Sequence, residues 1–149
     1  MSDSSGLLVV HAHPDDEAIS TGATIARYTA AGVRVCLVTC TRGEYGEIVD
    51  DEMAASGSWS PERLAEQRMT EMKDALAQLG NPNFEWLGGA GRWWDSGMVG
   101  VPQNDGPRAF HRADPEEATL ALVEILRRER PAVVVTYDEN GGYGHPDHI

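Results

Sequence analysis

The sequence of 149 residues predicts an α/β fold, a Rossmann-like three-layer sandwich with a mainly parallel sheet. Short apolar runs rich in β-branched residues alternate along the chain with segments of helical periodicity. Most of these runs are continuously apolar, rather than apolar at every second residue. Such strands are typical of parallel sheets that helices cover on both faces. We therefore expect a single α/β domain over residues 1–149.

Four strands are predicted from the apolar runs, at Leu7 to Ala12, Val33 to Thr39, Asn83 to Leu87 and the AVVVTY run after Pro131. Right-handed crossovers join parallel strands through helices. If the strand order is 3-2-1-4, the first and fourth strands are neighbours. The loops that follow these two strands would then face each other across a crevice.

Three helices are predicted, for about residues 19–31, 60–80 and 114–130. A glycine follows the first helix and another ends the second, as is common at helix C-termini. Ser60 can cap the second helix, and a proline suits its first turn. Asp114 precedes an acid-rich first turn of the third helix. These signals place all three helices between strands.

The formal net charge of −12 arises from 24 acidic and 12 basic side chains. This excess of negative charge repels phosphate backbones and anionic lipids, so no nucleic-acid or membrane partner is expected. The apolar run at residues 7–10 is too short for a signal-peptide core or a membrane span. We expect a cytoplasmic protein, and the sequence leaves its oligomeric state open.

The two cysteines, Cys36 and Cys40, lie in the same predicted strand. Four residues at ~3.3 Å each separate them by about 13 Å. A disulfide requires Cα atoms within about 7 Å. The sequence therefore predicts two free thiols.

Two long glycine-rich loops are predicted, at residues 41–59 and 88–113. Loops of this length in a compact domain are usually functional. No predicted element follows the last loop, which leaves one edge of the sheet uncovered. We therefore expect the chain to be the N-terminal part of a longer domain.

Two polar clusters follow the first and fourth strands, HAHPDDE at residues 11–17 and YDENGGYGHPDH at residues 137–148. Imidazole and carboxylate groups are good Zn²⁺ ligands, and a catalytic site keeps three of them. His13, Asp16 and His148 would supply such a set. The spacing alone does not decide which Asp and which His bind the metal.

Three other residues allow two interpretations each, and a fourth, His111, is expected to lie on a surface loop. His11 could orient a metal ligand or be a hydrogen-bonded interior imidazole. Trp93 and Trp94 could stack on a sugar or pack beneath their long loop.

The HPDDE and GHPDH motifs together resemble the LmbE/PIG-L family of zinc N-deacetylases, and the resemblance extends over nearly the whole chain. The GGAGRW and DSGM stretches are most similar to members that deacetylate N-acetylglucosaminyl-inositol in mycothiol biosynthesis. The resemblance implies one Zn²⁺ per chain, with Fe²⁺ as an alternative, and a small amino-sugar or inositol substrate. It implies hydrolysis of an acetamide, releasing acetate and a free amine.

The resemblance also assigns roles to residues. His13, Asp16 and His148 would bind the metal, and Asp15 would be the general base toward the attacking water. His145 would donate a proton to the leaving amine or stabilise the oxyanion, with Tyr143 assisting. The residues implied in substrate binding are Arg68, Asp95, Met98, Glu47 and Ser20.

Three alternatives accompany this interpretation. An amidase that cleaves mycothiol conjugates would use the same site on a different amide. A non-catalytic fragment that holds metal or sugar is a second possibility. A dinucleotide-binding oxidoreductase would fit the sheet, but the first strand leads into HPDDE rather than G-x-G-x-x-G.

Overall fold

Four parallel strands form one sheet in the order β3-β2-β1-β4 in the computed structural model, which describes residues 6–149. The strands are β1 Leu7–His11, β2 Val35–Thr39, β3 Asn83–Trp86 and β4 Val133–Val135. The predicted strand order is confirmed, with β1 between β2 and β4. Most of the polar segment before the first strand, residues 1–5, lies outside the described residues.

The helices are α1 Gly22–Ala30, α2 Asp51–Ala55, α3 Pro61–Gln78 and α4 Pro115–Glu129. Short helical turns occur at Pro102–Asp105, Phe110–Arg112, Gly141–Gly144 and Pro146–His148. None of the helices in residues 6–149 is both long and apolar enough to cross a membrane.

The predicted caps of α3 and α4 are present. The Ser60 hydroxyl accepts the N–H of Arg63 at 3.2 Å, and the Asp114 carboxylate accepts the N–H of Glu116 at 2.9 Å. Each bond satisfies one of the backbone donors that a helix N-terminus leaves free. Arg130 takes a left-handed conformation, with φ 46°, and ends α4.

Two predicted segments differ from the structure. The first helix is preceded by a π-helical turn at Glu17–Thr21, and regular α-helix begins only at Gly22. The predicted loop at residues 41–59 contains α2, which Asp50 caps by accepting the N–H of Met53 at 2.7 Å. Acids in the first turn of α2 complement the helix dipole, a short-range signal that the loop prediction overlooked.

The core has two halves, one on each face of the sheet, because successive strand residues point to opposite faces. One half contains Leu8, Cys36, Val38, Cys40, Leu87, Trp93 and Ile125, with α4 packed against it. The other contains Leu7, Val9, Ile25, Val35, Leu37 and Met72, from the sheet, α1 and α3. The predicted three-layer sandwich is confirmed, and both cysteines are buried and free.

The outer edge of β4 pairs with no other strand within residues 6–149. Val133 and Val134 are 54 % and 46 % exposed there. An apolar strand with an unpaired edge is what the sequence led us to expect at this side of the sheet.

Candidate metal centre and adjoining cleft

The loops that follow the carboxyl ends of all four strands meet at one site. Residues 13–16 follow β1, and residues 42–44 follow β2. Residues 95–96 belong to the long loop after β3, and residues 145–148 lie beyond β4. The parallel sheet brings these four segments to one rim, as expected for an open α/β fold.

Three buried donor atoms form a nearly equilateral triangle. His13 Nδ1 lies 3.5 Å from Asp16 Oδ2 and 3.1 Å from His148 Nε2, and the last two atoms are 3.4 Å apart. Ligands at about 2.0–2.1 Å from a tetrahedral ion are separated by about 3.3–3.4 Å. The predicted metal ligands therefore fit a Zn²⁺-sized ion with two imidazoles and one carboxylate.

The second ring nitrogen of His13 and that of His148 also have hydrogen-bond partners. His13 Nε2 donates to Asp147 Oδ2 at 3.1 Å, and His148 Nδ1 donates to the carbonyl of Gly141 at 3.2 Å. We assign these tautomers from the partners, because both partners are acceptors. Such bonds orient a ligating imidazole and leave its other nitrogen free for an ion.

Hydrogen bonds hold the Asp147 carboxylate in position to accept from His13. Its Oδ2 accepts the backbone N–H of Ser96 at 2.9 Å, and its Oδ1 accepts the Ser96 hydroxyl and the N–H of His111 at 3.1 Å. Its side chain is fully buried. The exposed imidazole of His111 bonds to the carbonyl of Asn104, so His111 is the surface-loop residue that we predicted, and its backbone supports Asp147.

Asp16 is kept ionised by its surroundings. Its Oδ2 accepts the N–H of His13 at 3.0 Å and the hydroxyl of Tyr137 at 2.6 Å. Burial alone would raise the pKa of Asp16, but the neighbouring His13, His148 and Tyr137 outweigh burial and hold that pKa well below its ordinary value. Tyr137 also accepts the N–H of Ala12 at 2.7 Å and stacks on His148 with ring centres 4.0 Å apart.

Two other donor sets at this rim have ligand atoms within 4.8 Å of one another, one of His13, His145 and His148 and one of His13, Asp95, His145 and Asp147. In the second set, Asp147 Oδ2 already accepts from Ser96 and His13. His145 Nδ1 accepts the N–H of Asp147 at 3.1 Å in both. In the triangle that includes Asp16, each imidazole presents a nitrogen that accepts no N–H from the described residues, and the three donor atoms lie 3.1–3.5 Å apart.

Asp15 has an unusual backbone conformation, with φ 108°. A non-glycine residue with this φ is strained by about 1–3 kcal/mol. The turn points Asp15 outward, where its side chain is 54 % exposed, while Asp16 points inward. Burial raises the pKa of the Asp15 carboxyl by more than the neighbouring Arg68 lowers it, which makes Asp15 a better base than a free carboxylate.

Arg68, on α3, holds the outward face of this turn. Its Nη2 donates to Asp15 Oδ2 at 2.7 Å and to the carbonyl of Pro14 at 2.6 Å, and its Nη1 donates to the carbonyl of Gly43 at 3.3 Å. A Cβ at Gly43 or Gly46 would collide with the guanidinium. These two glycines therefore form a cradle for Arg68.

A cleft of about 410 Å³ opens beside the triangle. It is lined by His13 and by seven other residues for which a role was predicted: Asp15, Glu47, Arg68, Asp95, Met98, Tyr143 and His145. Ser20 does not line this cleft; it is exposed on the π-helical turn. The structure thus brings all the predicted site residues together at one rim except Ser20.

His145 and Asp95 face each other at the base of the cleft, with His145 Nε2 at 3.7 Å from Asp95 Oδ1. Because His145 Nδ1 accepts a backbone N–H, the proton of its neutral form is on Nε2. Burial lowers the pKa of His145, and the neighbouring His13 lowers it further. Tyr143 is 66 % exposed, with its ring centre 6.1 Å from that of His145.

Glu44 joins two of the loops, although it is only 1 % exposed. Its Oε1 accepts Arg42 Nε at 3.1 Å, and its Oε2 accepts the backbone N–H of Asp95 at 3.0 Å. Glu44 therefore connects the loop after β2 to the loop that carries Asp95.

Sequence reasoning missed Asp147, Tyr137 and Glu44. Asp147 had a signal, because His-Pro-Asp occurs at both sites, but Glu44 had none. His11 is the hydrogen-bonded interior imidazole of our two interpretations: its Nε2 contacts Thr21 Oγ1 at 2.9 Å. The tryptophans at 93 and 94 are buried beneath their loop, 3 % and 8 % exposed, as in the packing interpretation.

Comparison with known proteins supports one family. Residues 8–149 match the model of the PIG-L family, described as GlcNAc-PI de-N-acetylase. The chain is 60 % identical to a 1D-myo-inositol 2-acetamido-2-deoxy-alpha-D-glucopyranoside deacetylase of Thermomonospora curvata, over all of this chain and 50 % of that protein. The chain spans about half the length of the curated relatives it matches.

Solved structures match as well. An N,N'-diacetylchitobiose deacetylase from Pyrococcus horikoshii, 29 % identical, superposes with a TM-score of 0.73 over 98 % of this chain and 46 % of that chain. A 4-carboxy-2-hydroxymuconate hydratase from Pseudomonas putida, 26 % identical, has a TM-score of 0.67 over 96 % of this chain and 52 % of its own. The fold therefore serves more than one reaction, and the site must decide between them.

Proposed function

Since the chain belongs to the PIG-L family of de-N-acetylases, we propose that it hydrolyses the acetamide of N-acetylglucosaminyl-inositol in a zinc-dependent reaction. The observation that carries this proposal is the triangle of His13, Asp16 and His148 beside the outward-facing Asp15. The 60 % identity to a relative named for deacetylation of this substrate supports it. The cytoplasm is the compartment expected from the sequence.

His13, Asp16 and His148 would hold the ion, oriented by the bonds behind them. Zinc bound there would polarise the amide carbonyl and lower the pKa of water at the site. Nitrogen and oxygen ligands also bind Fe²⁺, so ferrous iron is an alternative occupant of the site.

Asp15 would act as the general base toward the attacking water. Arg68 engages its Oδ2, which fixes the direction of the carboxylate while Oδ1 receives no hydrogen bond from the described residues. A raised pKa brings this carboxylate closer to the basicity that proton abstraction requires.

His145 would serve the other side of the amide. Its Nε2 carries the proton of the neutral ring and lines the cleft, so it can donate to the developing oxyanion or to the leaving amine. Tyr143, which is 66 % exposed and lines the cleft, would add a second donor.

The sugar and inositol hydroxyls would contact the polar lining of the cleft. Glu47 and Asp95 can accept hydrogen bonds from hydroxyl groups, and Met98 offers an apolar surface, 47 % exposed. The guanidinium of Arg68 is already bonded to three oxygens, so we propose that it binds substrate only through its remaining donors.

The test is acetate release from N-acetylglucosaminyl-inositol by the zinc-loaded chain, compared with release of amine from a mycothiol conjugate. We expect release from the first substrate, and at least a hundredfold less from Asp15→Asn with zinc content unchanged. Glu124→Gln, an exposed change on α4, is the matched control. Faster cleavage of the conjugate would favour the amidase, and binding without release would favour the non-catalytic alternative.

A further inference from the structure

Glu17 is a buried carboxylate for which the proposed chemistry has no use. It is 1 % exposed and lies in the π-helical turn behind the metal ligands. The structure describes no cationic partner for it. Burying a carboxylate without a counter-charge is unfavourable, and an apolar residue would pack there more easily. A specific contact should therefore account for its presence.

That contact is with Asp15. Glu17 Oε2 accepts the backbone N–H of Asp15 at 3.0 Å, two residues earlier in the chain. The carbonyl of Asp15 accepts the N–H groups of Ala18 and Ile19 at 2.9 and 3.0 Å. The peptide groups on both sides of the strained φ of 108° are thus held by the segment that follows.

The strained φ has a geometric consequence for function. It directs Asp15 into the cleft while its neighbour Asp16 points at the metal triangle. If the peptide relaxed to a favourable φ, Asp15 would turn away from the reacting amide. Arg68 holds the Asp15 carboxylate and the carbonyl of Pro14, and Glu17 holds the N–H of the same Pro14–Asp15 peptide, so the two residues fix opposite sides of that peptide.

On these contacts, and resting on the proposed function, we propose that Glu17 is a positioning residue that keeps the Asp15 carboxylate directed into the cleft. Glu17 does not line the cleft and is not one of the three residues of the triangle. Its other oxygen, Oε1, has no hydrogen-bond partner among the described residues. Glutamine would keep the acceptor at Oε2 and lose no bond at Oε1, so Glu17→Gln should preserve the effect whereas Glu17→Ala should remove it.

The first measurement is a double-mutant cycle. We expect Glu17→Ala to lower kcat roughly 10- to 100-fold, the loss typical of a misplaced catalytic group, with KM and zinc content little changed. Glu17→Gln should stay within about threefold of the unaltered chain, and Glu124→Gln should equal it. In the Asp15→Ala background, Glu17→Ala should change the residual rate less than twofold. Equal losses in both backgrounds would overturn the proposal.

The second measurement needs no turnover. Amide hydrogen exchange by NMR should be about tenfold or more faster at the Asp15 N–H in Glu17→Ala, and unchanged in Glu17→Gln. Unchanged exchange in Glu17→Ala would refute the positioning role. If the unaltered chain released no acetate, the proposed deacetylation would fail, and the exchange rate at Asp15 would still decide the role of Glu17.

Discussion

The hydroxyl of Tyr137 offers a sharp test of how the metal centre is built. It donates to Asp16 Oδ2 at 2.6 Å and accepts the N–H of Ala12 at 2.7 Å. Tyr137→Phe removes both bonds and keeps the ring that stacks on His148. A hydrogen bond to a charged group contributes about 1.5–3 kcal/mol, and an unsatisfied buried N–H costs about 1–3 kcal/mol.

Because Tyr137 is only partly buried, we expect the lower part of these ranges, a loss of about 2–3 kcal/mol in the free energy of unfolding. Loss of the bond to Asp16 should also weaken zinc binding by about 10- to 100-fold. Urea unfolding with a chelator present would measure the first effect, and competition with a zinc-binding dye the second.

The matched control is Tyr28→Phe. Tyr28 is 45 % exposed on α1, and its hydroxyl bonds to no other described residue. This change should alter stability by less than about 0.5 kcal/mol. If Tyr137→Phe behaved like Tyr28→Phe in both measurements, the hydrogen bonds to Asp16 and Ala12 would not have the importance we assign to them.

Four further outcomes are expected. Ser60→Ala should lower the free energy of unfolding by about 1 kcal/mol through loss of a helix cap, measured by urea denaturation; no loss would mean that the cap is dispensable. Asp147→Asn should weaken zinc binding by about 10- to 100-fold in the dye competition, and an unchanged affinity would contradict its role behind His13. Burial raises the pKa of Cys36 to about 11 and that of the Cys40 thiol further still, which leaves little thiolate at pH 8. Both should therefore react with iodoacetamide only slowly until urea is added, as mass spectrometry would reveal, and rapid labelling of the folded chain would refute their burial. Leu37→Ala, at a fully buried position, should lose about 2–5 kcal/mol in the same unfolding assay.

The sheet could be predicted because its rules are local and general. Continuous apolar strands, helix caps such as Ser60 and the preference for right-handed crossovers restrict the order to few choices. The candidate metal ligands followed from the same topology, since the loops that carry His13 and His148 come after strands that end at the shared rim. The family resemblance then selected Asp16 over Asp15.

The supporting contacts could not be predicted in this way. Asp147 depends on Ser96, 51 residues earlier in the chain, and Glu44 depends on Asp95, 51 residues later. Nothing in the spacing of residues specifies such pairs, because they arise from how two irregular loops pack. The φ of Asp15 is likewise decided by its neighbours rather than by its own preference, which disfavours it.

The bridge made by Glu44 has a consequence for how the cleft meets a ligand. The Glu44 carboxylate, carried by the segment after β2, also accepts the backbone N–H of Asp95, so the two walls cannot separate without leaving that N–H and one buried carboxylate oxygen unpaired. A sugar would therefore bind a preformed cleft, and the protein would lose little conformational entropy on binding. A single buried side chain that joins two irregular loops can in this way make them as rigid as a helix.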